Sequence, residues 1–452
     1  MRQLRPLERS VYALGDMSTN TALSTLTILY ASYFLTQVAD LRPVLAGAVP
    51  LVGRFVDAIT DPLVGRISDR TKLRSGRRRP YFLIGAIPFG VSFAMLWWVP
   101  PVESQAAAFL YYTVAYCLVS IASTICSVPY LSLIPEMATD YDDRTSLNTY
   151  RAVGATMGIF LAIGMRQSAV AFGDGADGWF LAACVYGVLL TVPWFFVWRV
   201  SFERPDFRRD DVETAPLLPG VLSAMRNRSF SILVAFYICG RLAMDLVGAM
   251  LILYFTWWLG RTDEFEIAML VFLCAAIGGL PLWLALSRRV DKRPAFILGS
   301  LVWALAQSFL FFLQPEWPHW VGYVGILVSG LGFAAVDMVP WSMIGDVVDE
   351  DDLATGERRE GLYNGLFMFL RKLAGATAVF LAMAVLDAVG FHDGAQQGET
   401  VLLAIRILTS FVPAALLVAG MFIALRYPLS RKRHAEILTQ LAERGTAGPT
   451  TP

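Results

Sequence analysis

The 452-residue chain is 56% hydrophobic and 13% aromatic but only 16% charged, with a mean hydropathy of +0.55. Soluble domains carry about 25% charged residues, so composition excludes an ordinary soluble enzyme. Lys and Arg total 37, as do Asp and Glu, which removes the electrostatic footprint of a nucleic-acid binder.

A helix that spans a bilayer needs about 20 mostly apolar residues. Stretches of that kind lie near residues 11–37, 43–65, 80–99, 106–134, 149–170 and 179–199. A polar linker, 201–228, precedes six more near 229–258, 266–287, 294–313, 319–344, 361–389 and 399–425. Membrane strands are shorter and alternate in polarity, so all twelve are predicted helices. The fold class is therefore an all-α polytopic membrane protein. Its predicted parts are a first bundle over 1–200, the linker, a second bundle over 229–427 and a tail over 428–452. From Arg431 the tail turns basic and then Gly/Thr/Pro-rich, which predicts a solvated, partly disordered end. The Arg-rich start, residues 1–10, is not followed by a short apolar core with a cleavage site, so no removable signal peptide is expected.

Basic residues crowd into residues 1–10, 66–79, 199–228, 288–293 and 426–444, with Arg144, Arg358 and Arg359 on the same side. The opposite connections are expected to hold only Arg42, Arg166 and Arg261. That asymmetry predicts an inner (plasma) membrane protein with both termini cytoplasmic. The five cysteines are far apart in apolar segments and read as small buried hydrophobes, not as a disulfide or zinc framework. The three histidines fall in connections or the tail, leaving none for an intramembrane proton relay.

The halves repeat one another. Tyr12-Ala-Leu-Gly-Asp16 matches Tyr237-Ile-Cys-Gly-Arg241 at an offset of 225. Arg79-Pro80 matches Arg293-Pro294 at 214, and Val128-Pro129-Tyr130 matches Val339-Pro340-Trp341 at 211. Each pair falls in the same ordinal helix of its half, the pattern of parallel-repeat transporters whose substrate site lies near mid-membrane between the repeats.

Ionisable groups inside the bilayer cost about 2.5–3.5 kcal/mol each and mark cavities or pairs. The second helix carries Arg54, Asp57 and Asp61 on one stripe. Two carboxylates one turn apart in low dielectric repel unless a proton, a cation or a positive side chain joins them. Thr60 and, from the fourth helix, Thr124 add the hydroxyls of a hard-oxygen shell suited to sodium. Lys372 is one of four lysines, and the only one within a span, where it is expected to serve that acidic pair. Asp16, Arg151 and Asp337 are further intramembrane charges, and Arg151 suits bidentate bonds to sugar hydroxyls or a carboxylate. Tyr130 and Trp341 are candidate stacking faces for a pyranose ring. Past the second helix, Gly65, Asp69 and Arg70 lead into Arg77, Arg78 and Arg79, a spacing that reads as a conformational gate in which Gly65 allows close helix approach.

These residues resemble the major facilitator superfamily and, within it, the glycoside–pentoside–hexuronide:cation symporters that include melibiose permeases. The strongest run is Arg54, Asp57, Thr60, Asp61 and Pro62, continuing through Gly65, Asp69 and Arg70 to Arg79 and Pro80. Gly15 with Asp16, Val128 with Pro129 and Pro135, Tyr150 with Arg151, Asp346 with Asp349, and Glu360 with Gly361 leading to Lys372 support it. The resemblance covers about residues 10–425. It implies twelve helices in two pseudo-symmetric bundles and coupled sugar import by alternating access, with Na⁺ or H⁺ as coupling ion and no other cofactor. It implies a cation site at Asp57, Asp61, Thr60, Thr124 and Lys372, and sugar contacts at Asp16 and Arg151. Melibiose permeases have an acid just before the helix-four Val/Ile-Pro step, where this chain has Ser127, so the cargo is expected to differ from a galactoside. The expected partners are a small-molecule substrate and the lipid bilayer, with no obligate protein partner. A lysolipid transporter of the same fold is the alternative. An integral-membrane enzyme is disfavoured by the duplication and by the lack of a nucleophile–His pair.

Overall fold

The computed structural model describes residues 4–71, 73, 76–138, 141–173, 175–204, 217–357, 359–392 and 396–446. Positions 205–216 of the expected linker, 447–452 of the expected tail, and Lys72, Arg74 and Arg358 of the basic connections lie outside them. The described residues are helical apart from connections and one isolated Leu73–Gly76 bridge. The first six helices are α1 (Pro6–Thr25, continued by Leu26–Val38), α2 (Pro43–Arg70), α3 (Pro80–Leu96), α4 (Gln105–Met137), α5 (Tyr141–Ile163, continued by Met165–Ala171) and α6 (Ala176–Val200). A connecting helix, Leu217–Arg226, leads to α7 (Arg228–Leu253, continued by Tyr254–Trp258). Then come α8 (Phe265–Val290), α9 (Lys292–Leu310), α10 (His319–Thr355), α11 (Glu360–Ala388) and α12 (Glu399–Thr409 and Phe411–Ala424). Ten of these are long and apolar enough to cross a membrane. The apolar but shorter α3, and α1, whose first half is diluted by Ser, Thr and Asn, complete the expected twelve.

Local chemistry sets the boundaries. Proline opens α1, α2 and α3, where its fixed φ and missing N–H suit a first turn. Asn227 caps α7 by accepting from the Phe230 N–H at 3.1 Å. Gly356, at φ 78°, closes α10 in the left-handed conformation. α10 outruns its expected end near 344 because the extra turns are amphipathic. Asp346, Asp349 and Asp352 lower the hydropathy, while Val347 and Val348 stay buried.

The duplication reaches the backbone. α1 widens to a π-helix and ends with the Ala39 N–H on the Phe34 carbonyl and the Leu41 N–H on the Leu35 carbonyl. α7 ends in the same way, with Leu259 on Tyr254 and Arg261 on Phe255. The pairings repeat too: α2 and α3 pack on α4 and α3 on α6, while α8 and α9 pack on α10 and α9 on α12.

The residues fall into two compact units, Met1–Val212 with Val379–Val401, and Glu213–Ala378 with Leu402–Pro452. The later turns of α11 thus belong with the first unit, where Asp387 pairs with Arg42 at 2.8 Å. Two expectations fail. Arg166 is not in a connection; it is 6% exposed, in the segment of α5 that follows a break at Gly164. In the tail, the basic stretch expected to be solvated is instead ordered: Arg431–Thr446 forms a helix whose Ile437 is buried in the second unit's core, while the end of the Gly/Thr/Pro-rich part lies outside the described residues. Its His434 lies 3.0 Å from Asp349.

Candidate cation and substrate sites

α2 and α4 run in the same direction and approach closely at Gly53, where a Cβ would fall 2.3 Å from the Tyr116 ring. Two rungs form between them. Asp57, 5% exposed, accepts from Arg54 Nη1 at 3.0 Å and from the Ser120 hydroxyl. One turn on, Asp61 accepts from Thr124 Oγ1 at 2.7 Å. Beside them Thr60 holds a buried hydroxyl with no hydrogen-bond partner among the described residues. The structure therefore brings Asp57, Thr60, Asp61 and Thr124 together. It adds Ser120, which stands four residues before Thr124 as Asp57 stands four before Asp61. A cluster of carboxylate and hydroxyl oxygens suits a monovalent hard cation or a proton. Lys372 lies in the second unit, half-buried on α11.

Further along the first unit, Asp16 on α1 accepts from Arg151 Nε at 2.7 Å, from Arg151 Nη2 at 3.1 Å and from the Tyr130 hydroxyl at 2.5 Å. Tyr130 is only 2% exposed, stacked on Tyr12 at 4.3 Å with Arg151 over its ring at 5.3 Å. It offers no open face for a sugar and instead orients Asp16, correcting the stacking expectation. An apolar groove of about 410 Å³ opens between α1 and α5, lined chiefly by Leu14, Met17, Val153 and Met157.

In the second unit the position matching Asp16 is Arg241, which grips Asp245 with two bonds of 2.8 and 2.6 Å. The Asp245 carboxylate lies against Gly375 of α11, where a Cβ would be 2.1 Å from Oδ2. Trp341 is half-buried and edge-on to Tyr237 and Phe367, with centroids 6.4 and 5.0 Å away. Tyr237 stacks on Phe367 at 4.2 Å. Asp337 sits one turn from Trp341 on α10, near Tyr237 and Arg241.

The residues expected to form a gate are tied together through two acids that the sequence did not single out. Buried Glu136 of α4 accepts from Arg77 and from Arg78 Nη1, the latter at 2.6 Å. Arg78 also bonds Asp69 at 2.6 Å and the Ser132 carbonyl at 2.6 Å. The Glu203 carboxylate takes the backbone N–H groups of Arg77, Arg78 and Arg79 at 2.8, 2.8 and 3.0 Å, a nest of oriented donors. Gly76, at φ 115°, lets the chain turn into it. Arg79 bonds the Trp198 carbonyl at 2.9 Å, and Arg70 is exposed at the end of α2. Gly65 contributes no close approach: a Cβ there would meet only Val128 Cγ1, at an ordinary 3.6 Å.

A second lock stands in the other half. Lys292 Nζ bonds Asp346 at 2.7 Å and the Ser342 carbonyl at 2.8 Å. Lys292 follows Arg78 at the same offset, 214, that relates Arg79-Pro80 to Arg293-Pro294, and in both halves the acid stands four residues after the serine. Nearby, hydrogen bonds to Asp351 at 2.9 and 2.6 Å hold Arg359 above the usual arginine value.

A family model described as MFS/sugar transport protein matches residues 11–431. The chain is 29% identical to a putative glycoside/cation symporter of Escherichia coli over 100% of this chain and 98% of that one. It is 25% identical to sodium-dependent lysophosphatidylcholine symporter 1-A of Danio rerio, over 96% and 87% respectively. Among solved structures, a D-xylose-proton symporter matches with a TM-score of 0.71 and 15% identity over 93% of this chain and 97% of that one, a likeness of fold.

Proposed function

The chain belongs to the MFS/sugar transport protein family, whose members are multi-pass membrane transporters, and on that premise we propose that it is a cation-coupled symporter of a sugar or glycoside. The observation that carries this reading is the pair of rungs from Asp57 to Ser120 and from Asp61 to Thr124, with the unsatisfied Thr60 hydroxyl beside them. Na⁺ or H⁺ binds there first and cancels the repulsion between the two carboxylates. Cargo hydroxyls are taken by Asp16 and Arg151 in one half and by Asp337 in the other, where Trp341 offers a stacking face. The protein then alternates in access, breaking and remaking the Asp69, Arg77, Arg78 and Arg79 lock. The Arg-rich connections and both termini face the cytoplasm across the inner membrane. Cation and cargo raise each other's affinity by the same factor.

The test is uptake into reconstituted vesicles of glycosides, uronides and lysolipids under an imposed Na⁺ or H⁺ gradient. Sugar uptake driven by one gradient and abolished in Asp61→Asn supports the reading. Uptake by Asp57→Asn and Asp61→Asn with undiminished cation dependence refutes the cation site. The apolar groove between α1 and α5, together with the lysophosphatidylcholine relative, supports a second reading, an amphiphile with an acyl chain. Lysolipid uptake without sugar uptake selects it.

A further inference from the structure

We propose that Arg371 receives an anionic group of the cargo, a carboxylate, sulfonate or phosphate held by Arg371 and Arg241, while Asp337 accepts the cargo's hydroxyl donors. This rests on the symporter reading and narrows its cargo to an acidic molecule. The argument starts from pairing. Arg241 is closed on Asp245 by two hydrogen bonds, and Asp245 abuts Gly375 of α11. Arg371 lies one turn before Gly375 on the same helical face, as Arg241 lies one turn before Asp245, so both arginines fall on the facing sides of α7 and α11. Arg241, Asp337 and Asp245 all lie within electrostatic reach of Arg371, the first as a like charge. Tyr237, Arg241 and Asp337 line one small cavity, and Arg371 lies within electrostatic reach of the same tyrosine.

Among the described residues neither Arg371 nor Asp337 forms a hydrogen bond or an ion pair, and Arg371 Nε is buried without an acceptor. An ionisable group left so in a membrane interior marks a ligand path. If the pair served only to neutralise each other, it would be closed, as Arg241 is on Asp245. Left unpaired, the two supply a fork of donors and a carboxylate acceptor to a ligand. An anion between the two guanidiniums removes their repulsion and meets the planar donor fork of arginine. The neighbouring layer is aromatic: Phe367, Tyr237 and Trp341 each stand one turn from Arg371, Arg241 and Asp337 respectively, offering an apolar wall to a ring. In the first half the position matching Arg241 is the acid Asp16, already satisfied by Arg151 and Tyr130, so the charge selection falls to the second half.

The test compares matched neutral and anionic probes in reconstituted vesicles: methyl glucoside with methyl glucuronide, and monoacylglycerol with lysophosphatidylglycerol. Wild type, Arg371→Gln and Arg371→Lys are compared under the driving gradient. Wild type should prefer the glucuronide by at least about tenfold in apparent affinity, the scale of one charge-assisted hydrogen bond. Arg371→Gln should bring the two sugars to within about threefold while still transporting the glucoside, which shows a folded protein, and Arg371→Lys should keep part of the preference. A preference that survives in Arg371→Gln, or a wild type that favours the glucoside, overturns the assignment and leaves the symport reading intact. If only the lipid pair is driven and Arg371→Gln erases the phosphate preference, Arg371 keeps its role and the sugar reading falls. If neither pair is driven, both fall.

Discussion

Replacing Glu136 by Gln tests the lock at its most buried member. The Glu136 side chain is 3% exposed and holds Arg77 and Arg78, whose side chains are 15% and 12% exposed. A hydrogen bond to a charged group contributes about 1.5–3 kcal/mol, and breaking a buried pair by removing one charge costs about 3–5 kcal/mol. Gln keeps one carbonyl acceptor in place, and Arg78 keeps Asp69 and the Ser132 carbonyl. The loss should therefore sit near the lower end, about 3 kcal/mol. The matching change in the other half, Asp346→Asn, opens a bridge to Lys292, which is 33% exposed, so solvent screening holds its cost to about 1 kcal/mol or less. Both variants are compared with wild type in detergent by equilibrium unfolding followed through tryptophan fluorescence. Glu136→Gln should lose at least about three times the free energy lost by Asp346→Asn. Equal losses, or a larger one for Asp346→Asn, would refute the claim that burial makes the first lock the stronger.

Other changes separate local roles. Ser120→Ala and Thr124→Ala each remove one hydroxyl from the carboxylate rungs and should weaken the apparent cation affinity about tenfold, read from the cation dependence of uptake; unchanged dependence removes Ser120 from the site. Gly53→Ala drives a Cβ into Tyr116 and should destabilise by about 1–3 kcal/mol, whereas Gly65→Ala, with its nearest neighbour 3.6 Å away, should be close to neutral in the same unfolding assay. Removing residues 431–452 exposes the core that Ile437 covers and should cost about 2 kcal/mol or more of the second unit's stability, whereas an unstructured tail would cost nothing.

Hydropathy made the fold legible because, in lipid, every backbone group must be satisfied within its own helix and apolar length then marks each span. It failed where an amphipathic helix leaves the apolar layer. The end of α10 and the Arg431–Thr446 helix bury Val347, Val348 and Ile437 behind charged faces that lower any running average. Periodicity found the α2 stripe of Arg54, Asp57 and Asp61 because helical spacing is local. Their receivers are not local: Glu136 lies 58 residues from Arg78, and Glu203 lies 126 from Arg77, so nothing in the spacing chose them from 37 acids. Ser120 was recoverable, since Asp57 and Asp61 share the four-residue spacing of Ser120 and Thr124 and two helices running in the same direction must then form paired rungs. Tyr130 shows the opposite error. Its motif was read correctly, but only packing against Tyr12 and Arg151 reveals that its ring is covered.

The two halves share an ion-paired cluster and a backbone ending, yet differ in the charges they carry into the membrane, and on the proposed symporter reading that difference sets the electrical character of the cycle. α2 presents Asp57 and Asp61, whereas its counterpart α8 has no Asp or Glu between Glu266 and Asp291. One cation site per chain, and hence one cation per cycle, is the expected stoichiometry. If the cargo carries a single negative charge to Arg371, that cation and the cargo cross together without net charge. Uptake of a glucuronide down a cation gradient should then be indifferent to an imposed membrane potential. For a neutral glucoside carried with the same ion, an inside-negative potential of 100 mV adds about 2.3 kcal/mol of drive. The measurement is initial uptake in vesicles bearing a valinomycin-set potassium potential, at a fixed cation gradient. Glucuronide uptake that rises with inside-negative potential would mean a second cation, and the α2 carboxylates would then not be the whole of the cation site.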